Sequence, residues 1–150
     1  MKSVKLIDTS ILCELLEIPG KSNAASAKKV KSEFAKLVGN GVRFILPLAA
    51  IIETGNHIAQ NGDGNVRRYK GVTLKDFVVK SLSEDSPFLP SPLWDRGDLE
   101  AWIKDFPDSA MRGKGLGDVS IERDLQIAKE RLKLPSSLSI EIWSKDSHLA

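Results

Sequence analysis

Short apolar, strand-forming runs alternate with stretches of helical period along this chain, and the alternation leaves few folds open. Residues 3–8, with Val4, Leu6 and Ile7, read as a buried first strand. Val42 to Leu46 is a second, apolar enough to be covered on both faces. A short third is expected around Phe88-Leu89, inside the irregular stretch from Ser83 to Asp95 that holds Pro87, Pro90 and Pro92. Ser139 to Trp143 is the last. Helical segments fill the gaps, so the strands run parallel in an α/β fold, and right-handed crossovers bring their C-terminal ends to one edge. Ligands bind outside that edge in open α/β sheets. No repeat or linker divides the chain, which is expected to be a single domain over residues 1–150.

The helices are placed by period and punctuation. Thr9-Ser10 can cap a helix over residues 10–17, which Pro19-Gly20 ends. Ser22 or Asn23 caps the next, with Ala27, Val30, Phe34 and Leu37 on its inner stripe and Gly39-Asn40-Gly41 as its stop. Pro47 suits the first turn of a helix from Leu48 to about Gln60. Residues 66–82 form another, with Tyr69, Val72 and Phe77 inward. Asp98 caps a helix presenting Leu99, Trp102, Ile103 and Phe106, which Pro107 closes before a Gly-rich loop, Met111 to Gly117. Asp118 opens the last helix, with Ile121, Leu125, Ala128 and Leu132 on one stripe.

Charge enters here because the formal net value is only +2, too small by itself to imply a polyanionic partner; local clustering alone would argue for one. Cys13, the single cysteine, sits among Ile11, Leu12, Leu15 and Leu16 and reads as core, so a disulfide framework and a thiolate metal site are both excluded. Asp8 interrupts the N-terminal apolar run, and Phe44 to Ile52 is too short to span a bilayer. A cytoplasmic protein without membrane contact is the expectation.

Four carboxylates carry the chemistry. Asp8 follows Leu6-Ile7 directly; a cap is the bland role, but Thr9 and Ser10 are available for it, and a carboxylate so close to apolar residues is expensive unless paired or metal-bound. Glu53 closes the apolar run Ala49-Ala50-Ile51-Ile52, and Asp146 follows the last strand much as Asp8 follows the first. Asp118 follows a loop in which Arg112 and Lys114 are placed to meet a substrate phosphate. Glu122 is a weaker candidate ligand, Asp124 is expected to face solvent, and His57 and His148 read as hydrogen-bonding or surface residues. Four hard oxygen donors without soft ligands suit Mg²⁺ or Mn²⁺. Such clusters support metal-assisted phosphodiester hydrolysis.

These residues also resemble a known family. Leu6-Ile7-Asp8-Thr9-Ser10-Ile11-Leu12 resembles the opening of PIN domains, and Leu46-Pro47-Leu48-Ala49-Ala50-Ile51-Ile52-Glu53 their second motif. Gly115-Leu116-Gly117-Asp118-Val119-Ser120-Ile121 resembles the third, and Ile142-Trp143-Ser144-Lys145-Asp146 the fourth. The resemblance implies a three-layer α/β/α sandwich around a parallel sheet and a metal-dependent endoribonuclease, in many members a VapC-type toxin held by an antitoxin and often a homodimer. It further implies that Asp8, Asp118 and Asp146 bind metal, that Glu53 binds metal or orients the water, and that Ser10 supports Asp8. The long stretch between Glu53 and Asp118, and the four residues after Asp146, depart from the compact toxin pattern.

Two rivals stand beside this expectation. One is a PIN-like module that binds RNA or a protein partner without cutting. The other is a Mg²⁺ phosphatase of the haloacid dehalogenase type, which wants a second Asp where Ser10 stands.

Overall fold

The computed structural model describes residues 3–132, 135 and 138–145; the expectations for Asp146 and His148 lie outside them. Strands β1 (Ser3–Ile7), β2 (Arg43–Ile45), β3 (Phe88–Leu89) and β4 (Ser139–Trp143) form one sheet in the order β3-β2-β1-β4. Every pairing is parallel, with Leu6 opposite Ile45 on one side and Ile142 on the other. Six helices lie among the described residues: α1 (Thr9–Leu15), α2 (Ala24–Gly39), α3 (Leu48–Ala59), α4 (Gly64–Ser81), α5 (Arg96–Met111) and α6 (Leu116–Arg131). The expected α/β class with a parallel sheet is what the chain adopts, and the short strand at Phe88-Leu89 is present. No helix among the described residues is long and apolar enough to cross a membrane.

Alternation along the strands divides the core. Val4, Leu6 and Ile45 face α6, where Ala128 is buried against them. Ile7 and Phe44 face the other way, into a larger cluster built with α1, α2 and α3. Phe34 of α2 stacks on Trp143 (centroids 6.4 Å) and tilts against Phe44 (4.8 Å), so α2 spans β2 and β4. Phe44 and Leu6 are wholly buried, which contributes about 1.5–3 kcal/mol each. Cys13 is buried in this core, and burial raises its thiol pKa.

Several local expectations give way. The cap of α1 is Asp8 itself, whose Oδ1 accepts from Ile11 N (3.1 Å), and not Thr9 or Ser10. In α4 Tyr69 and Val72 point to solvent; Leu74, Phe77 and Val78 pack inward, because its apolar residues are spread around the helix and give no single stripe. Asp95, not Asp98, caps α5; Asp98 is the reciprocal partner three residues on. Pro107 lies inside α5, which forgoes one ladder bond and continues to Met111. Leu99 and Ile103 are largely exposed. Asp98 instead pins α5 to α6 through Arg123 (2.6 Å) and Arg131 (2.7 Å), and these partners hold its carboxyl well below the usual range even though it is buried. Gly115 caps α6, and Asp118 stands in its first turn.

Candidate active site

The C-terminal ends of β1 and β4 meet at one edge. The Asp8 N–H donates to the Trp143 carbonyl (3.2 Å), so the strand pairing itself delivers Asp8 there. Ser10 Oγ donates to Asp8 Oδ1 at 2.7 Å and accepts the Lys145 N–H at 3.0 Å. One hydroxyl therefore orients the carboxylate and ties it to the segment following β4. Asp8 is almost wholly buried and is both a helix cap and a fixed carboxylate.

Glu53 approaches from α3, held by the Thr9 hydroxyl, which donates to Oε1 at 3.1 Å. It is half-buried. Burial raises its pKa above the ordinary carboxyl value, the Thr9 bond pulls the other way, and the fields of Asp118 and Asp8 raise it further. The three acids thus converge closely enough to feel one another. α6 completes the wall. Gly117 lies against Glu53 so tightly that a Cβ there would overlap the carboxylate, which gives the Gly-Asp pair at 117–118 a packing reason.

The donor set is all hard oxygen, the kind Mg²⁺ and Mn²⁺ take. Burial is the main cause of the raised Glu53 pKa, and the negative fields of Asp118 and Asp8 add a smaller rise that a cation would offset. In donor type alone the residues suit such an ion. Among the described residues, no three His, Cys, Asp or Glu side chains already form a set spaced to hold one.

The other candidates are dispersed. Lys114 pairs with Glu122 at 2.6 Å, so each neutralises the other at the rim. Arg112 is the exposed C-terminal cap of α5. His57 is half-buried in the last turn of α3, and burial lowers its pKa. Asp124 does not face solvent. It is buried, accepts the Trp94 indole N–H at 2.6 Å, and burial pushes its pKa up to about 6. Asp124 lies three residues after Ile121 and four before Ala128, on the buried face of α6.

Two features carry no motif in the sequence. Glu14 on α1 is wholly buried with Lys145 Nζ 3.3 Å from Oε2. Burial raises its pKa, but Ser26, Ser22 and Lys145 outweigh that and lower it overall. Beside Glu53 opens an apolar recess of about 590 Å³, walled by Ile52, Leu93, Trp94, Leu99 and Trp102 with Asp124 at its side. Trp94 and Trp102 meet edge to face at 5.2 Å.

Comparison with protein-family models, with curated proteins and with solved structures gave no match to this chain.

Proposed function

We propose that this chain is a PIN-type endoribonuclease that hydrolyses RNA phosphodiester bonds with Mg²⁺ or Mn²⁺. The observation that carries the proposal is the condition of Glu53. It is a half-buried acid with its pKa raised by burial and by Asp118 and Asp8, fixed by Thr9 at the C-terminal edge of a parallel sheet. A general base works best with its pKa brought toward the working pH, and an edge of this kind is where such folds place their ligands. Asp8 and Asp118 would hold the ion, with Asp146 as the resemblance implies. The ion would supply an activated water and offset charge on the phosphate. Ser10 keeps the Asp8 carboxylate in one orientation before anything binds. Glu53 accepts the proton of the attacking water, and Thr9 keeps it within reach. Order and spacing of the four motifs support the three-layer PIN-like fold, with helices packed on both faces of the sheet.

A second function class has its own observation. The apolar recess beside Glu53 is bordered by exposed Leu48, Ile52, Leu93 and Leu99, which favours a protein partner such as an antitoxin or a second copy. A catalytically silent binding module would use the same surface.

Cleavage of a mixed RNA pool with Mg²⁺ or Mn²⁺ separates the two. The expected result is cutting by the wild type, abolished by EDTA and by Asp8→Asn and Asp118→Asn variants that circular dichroism shows to be folded. Equal cutting by both variants would overturn the assignment. Absence of cutting with retained binding would favour the silent module.

A further inference from the structure

The charge that the whole-chain count conceals sits on α4. The chain is +2 overall, yet α4 alone carries Arg67, Arg68, Lys70, Lys75 and Lys80 against a single acid, Asp76. The rest of the chain sums to a net −2, although α2 is also basic, with four lysines against Glu33. α4 buries no residue completely, so this charge is presented and not packed away.

Between α3 and α4 runs an open groove of about 620 Å³. Arg67, Arg68 and Lys75 line it, and among the described residues no carboxylate does. Gly55 and Gly71 line it too, and a Cβ at Gly71 would meet nothing, so the space is real. Arg67 donates to the Asn61 carbonyl at 2.6 Å, which aims its guanidinium. Lys75 stands 3.4 Å from its neighbour Asp76, with both side chains exposed, a pair of little strength. Arg68 has no ion-pair partner among the described residues. Three cations on one concavity repel one another, and a polyanion lying between them turns that cost into attraction. Tyr69, on the same helix, is 67 % exposed with Lys70 Nζ 5.2 Å from its ring centroid, a surface on which a base can stack.

α3 also links the groove to the acids. Glu53 borders the recess on one side of α3, while Gly55 and Ile58 line the groove on the other. We infer that the α3–α4 groove binds the phosphate backbone of single-stranded RNA and leads the strand over α3 to the acidic edge. The inference rests on the RNA reading above but uses none of its catalytic residues.

The test is fluorescence anisotropy with a labelled single-stranded RNA of mixed sequence, in EDTA so that nothing is cut, across a salt series. Arg68→Glu with Lys75→Glu is compared with Lys28→Glu with Lys29→Glu, an equal charge change on the exposed face of α2. The groove variant is expected to bind about tenfold more weakly and to lose roughly 1.4 from its log–log salt slope, about 0.7 for each lost phosphate contact. The α2 variant keeps the wild-type slope. Arg68→Gln with Lys75→Gln, a milder change, shifts the slope in the same direction and guards against misfolding. Equal losses in the groove and α2 variants overturn the inference, as does wild-type binding by the groove variants. Binding to phosphatidylserine vesicles but not to RNA also overturns it. Failure here is distinct from failure of the nuclease assignment: a wild type that cuts RNA while the groove variants bind it normally loses the groove and keeps the enzyme. RNA binding at the groove without cutting does the reverse.

Discussion

Gly117→Ala separates position from stability at the acidic edge. The Cβ it adds would stand 2.6 Å from Glu53 Cδ, about an ångström inside ordinary carbon–carbon contact. Gly117 is on α6 and Glu53 on α3, so the flexible carboxylate yields and not the backbone. Glu53 then loses the Thr9 hydrogen bond, worth about 0.5–1.5 kcal/mol. Replacing a helical Gly with Ala returns up to about 1 kcal/mol. The two nearly cancel, and the melting midpoint is expected to stay within about 4 °C of wild type. Activity does not share in the cancellation. A carboxylate displaced by about an ångström from its working position lowers cleavage about a hundredfold. The assay is initial-rate RNA cleavage beside a thermal melt, with Glu53→Gln as the reference for complete loss of the base. Adding Glu53→Asp to Gly117→Ala shortens the acid by one methylene and is expected to restore part of the rate. Wild-type cleavage by Gly117→Ala, or a fall in midpoint as severe as that of a core truncation, would refute the account.

Asp8→Asn retains an Oδ1 acceptor for Ile11 N and Ser10, so urea midpoints should barely move, whereas Asp8→Ala loses about 1 kcal/mol of capping. Asp124 has its pKa raised to about 6, so the folded state holds its proton more tightly than the unfolded state. That stabilisation is complete below about pH 4 and is lost as pH rises through about 6, an effect of about 1–3 kcal/mol. Asp124→Asn should therefore gain stability over wild type between about pH 4 and pH 7, and a pH-independent difference would count against it. Asp98 runs the opposite way. Its lowered pKa stabilises the fold at neutral pH and loses that effect in acid, so the midpoint gap between wild type and Asp98→Asn should narrow as the buffer is taken from about pH 6 to about pH 2.

What could be read from the sequence depended on how regularly the apolar residues were placed. β1 and α2 were legible by period, with Val4 and Leu6 along a strand and Ala27, Val30 and Phe34 along a helix, and β2 as a short continuous apolar run. α4 was legible as a helix but not in orientation, since its apolar residues ring the axis. Caps were misplaced by three residues at Asp98 and Asp118 for one reason. An acid in the first turn favours a helix N-terminus as an acid at the cap does, and only the backbone shows that the caps are Asp95 and Gly115. Asp8 and Glu53 stood out in the sequence because each follows an apolar run, and Asp118 because it follows a Gly-rich loop. Asp124 was missed because a polar residue on a buried stripe looks like a solvated one until its partner, Trp94, is known; that partner lies 30 residues away.

The sheet has a consequence in time as well as in space. β1 takes its edge partner from β4, and Lys5 and Glu141 meet across 136 residues of sequence. Pairing at that separation carries a large loop-closure entropy and folds slowly. A nascent chain that has cleared Phe44 can pair β1 with β2, but Asp8 lacks the Trp143 carbonyl and Ser10 lacks the Lys145 amide until the last strand leaves the ribosome. The acidic edge is thus assembled only after β4 has emerged, and ribosome-bound chains halted before Ser139 would carry Asp8 and Glu53 without the geometry that joins them.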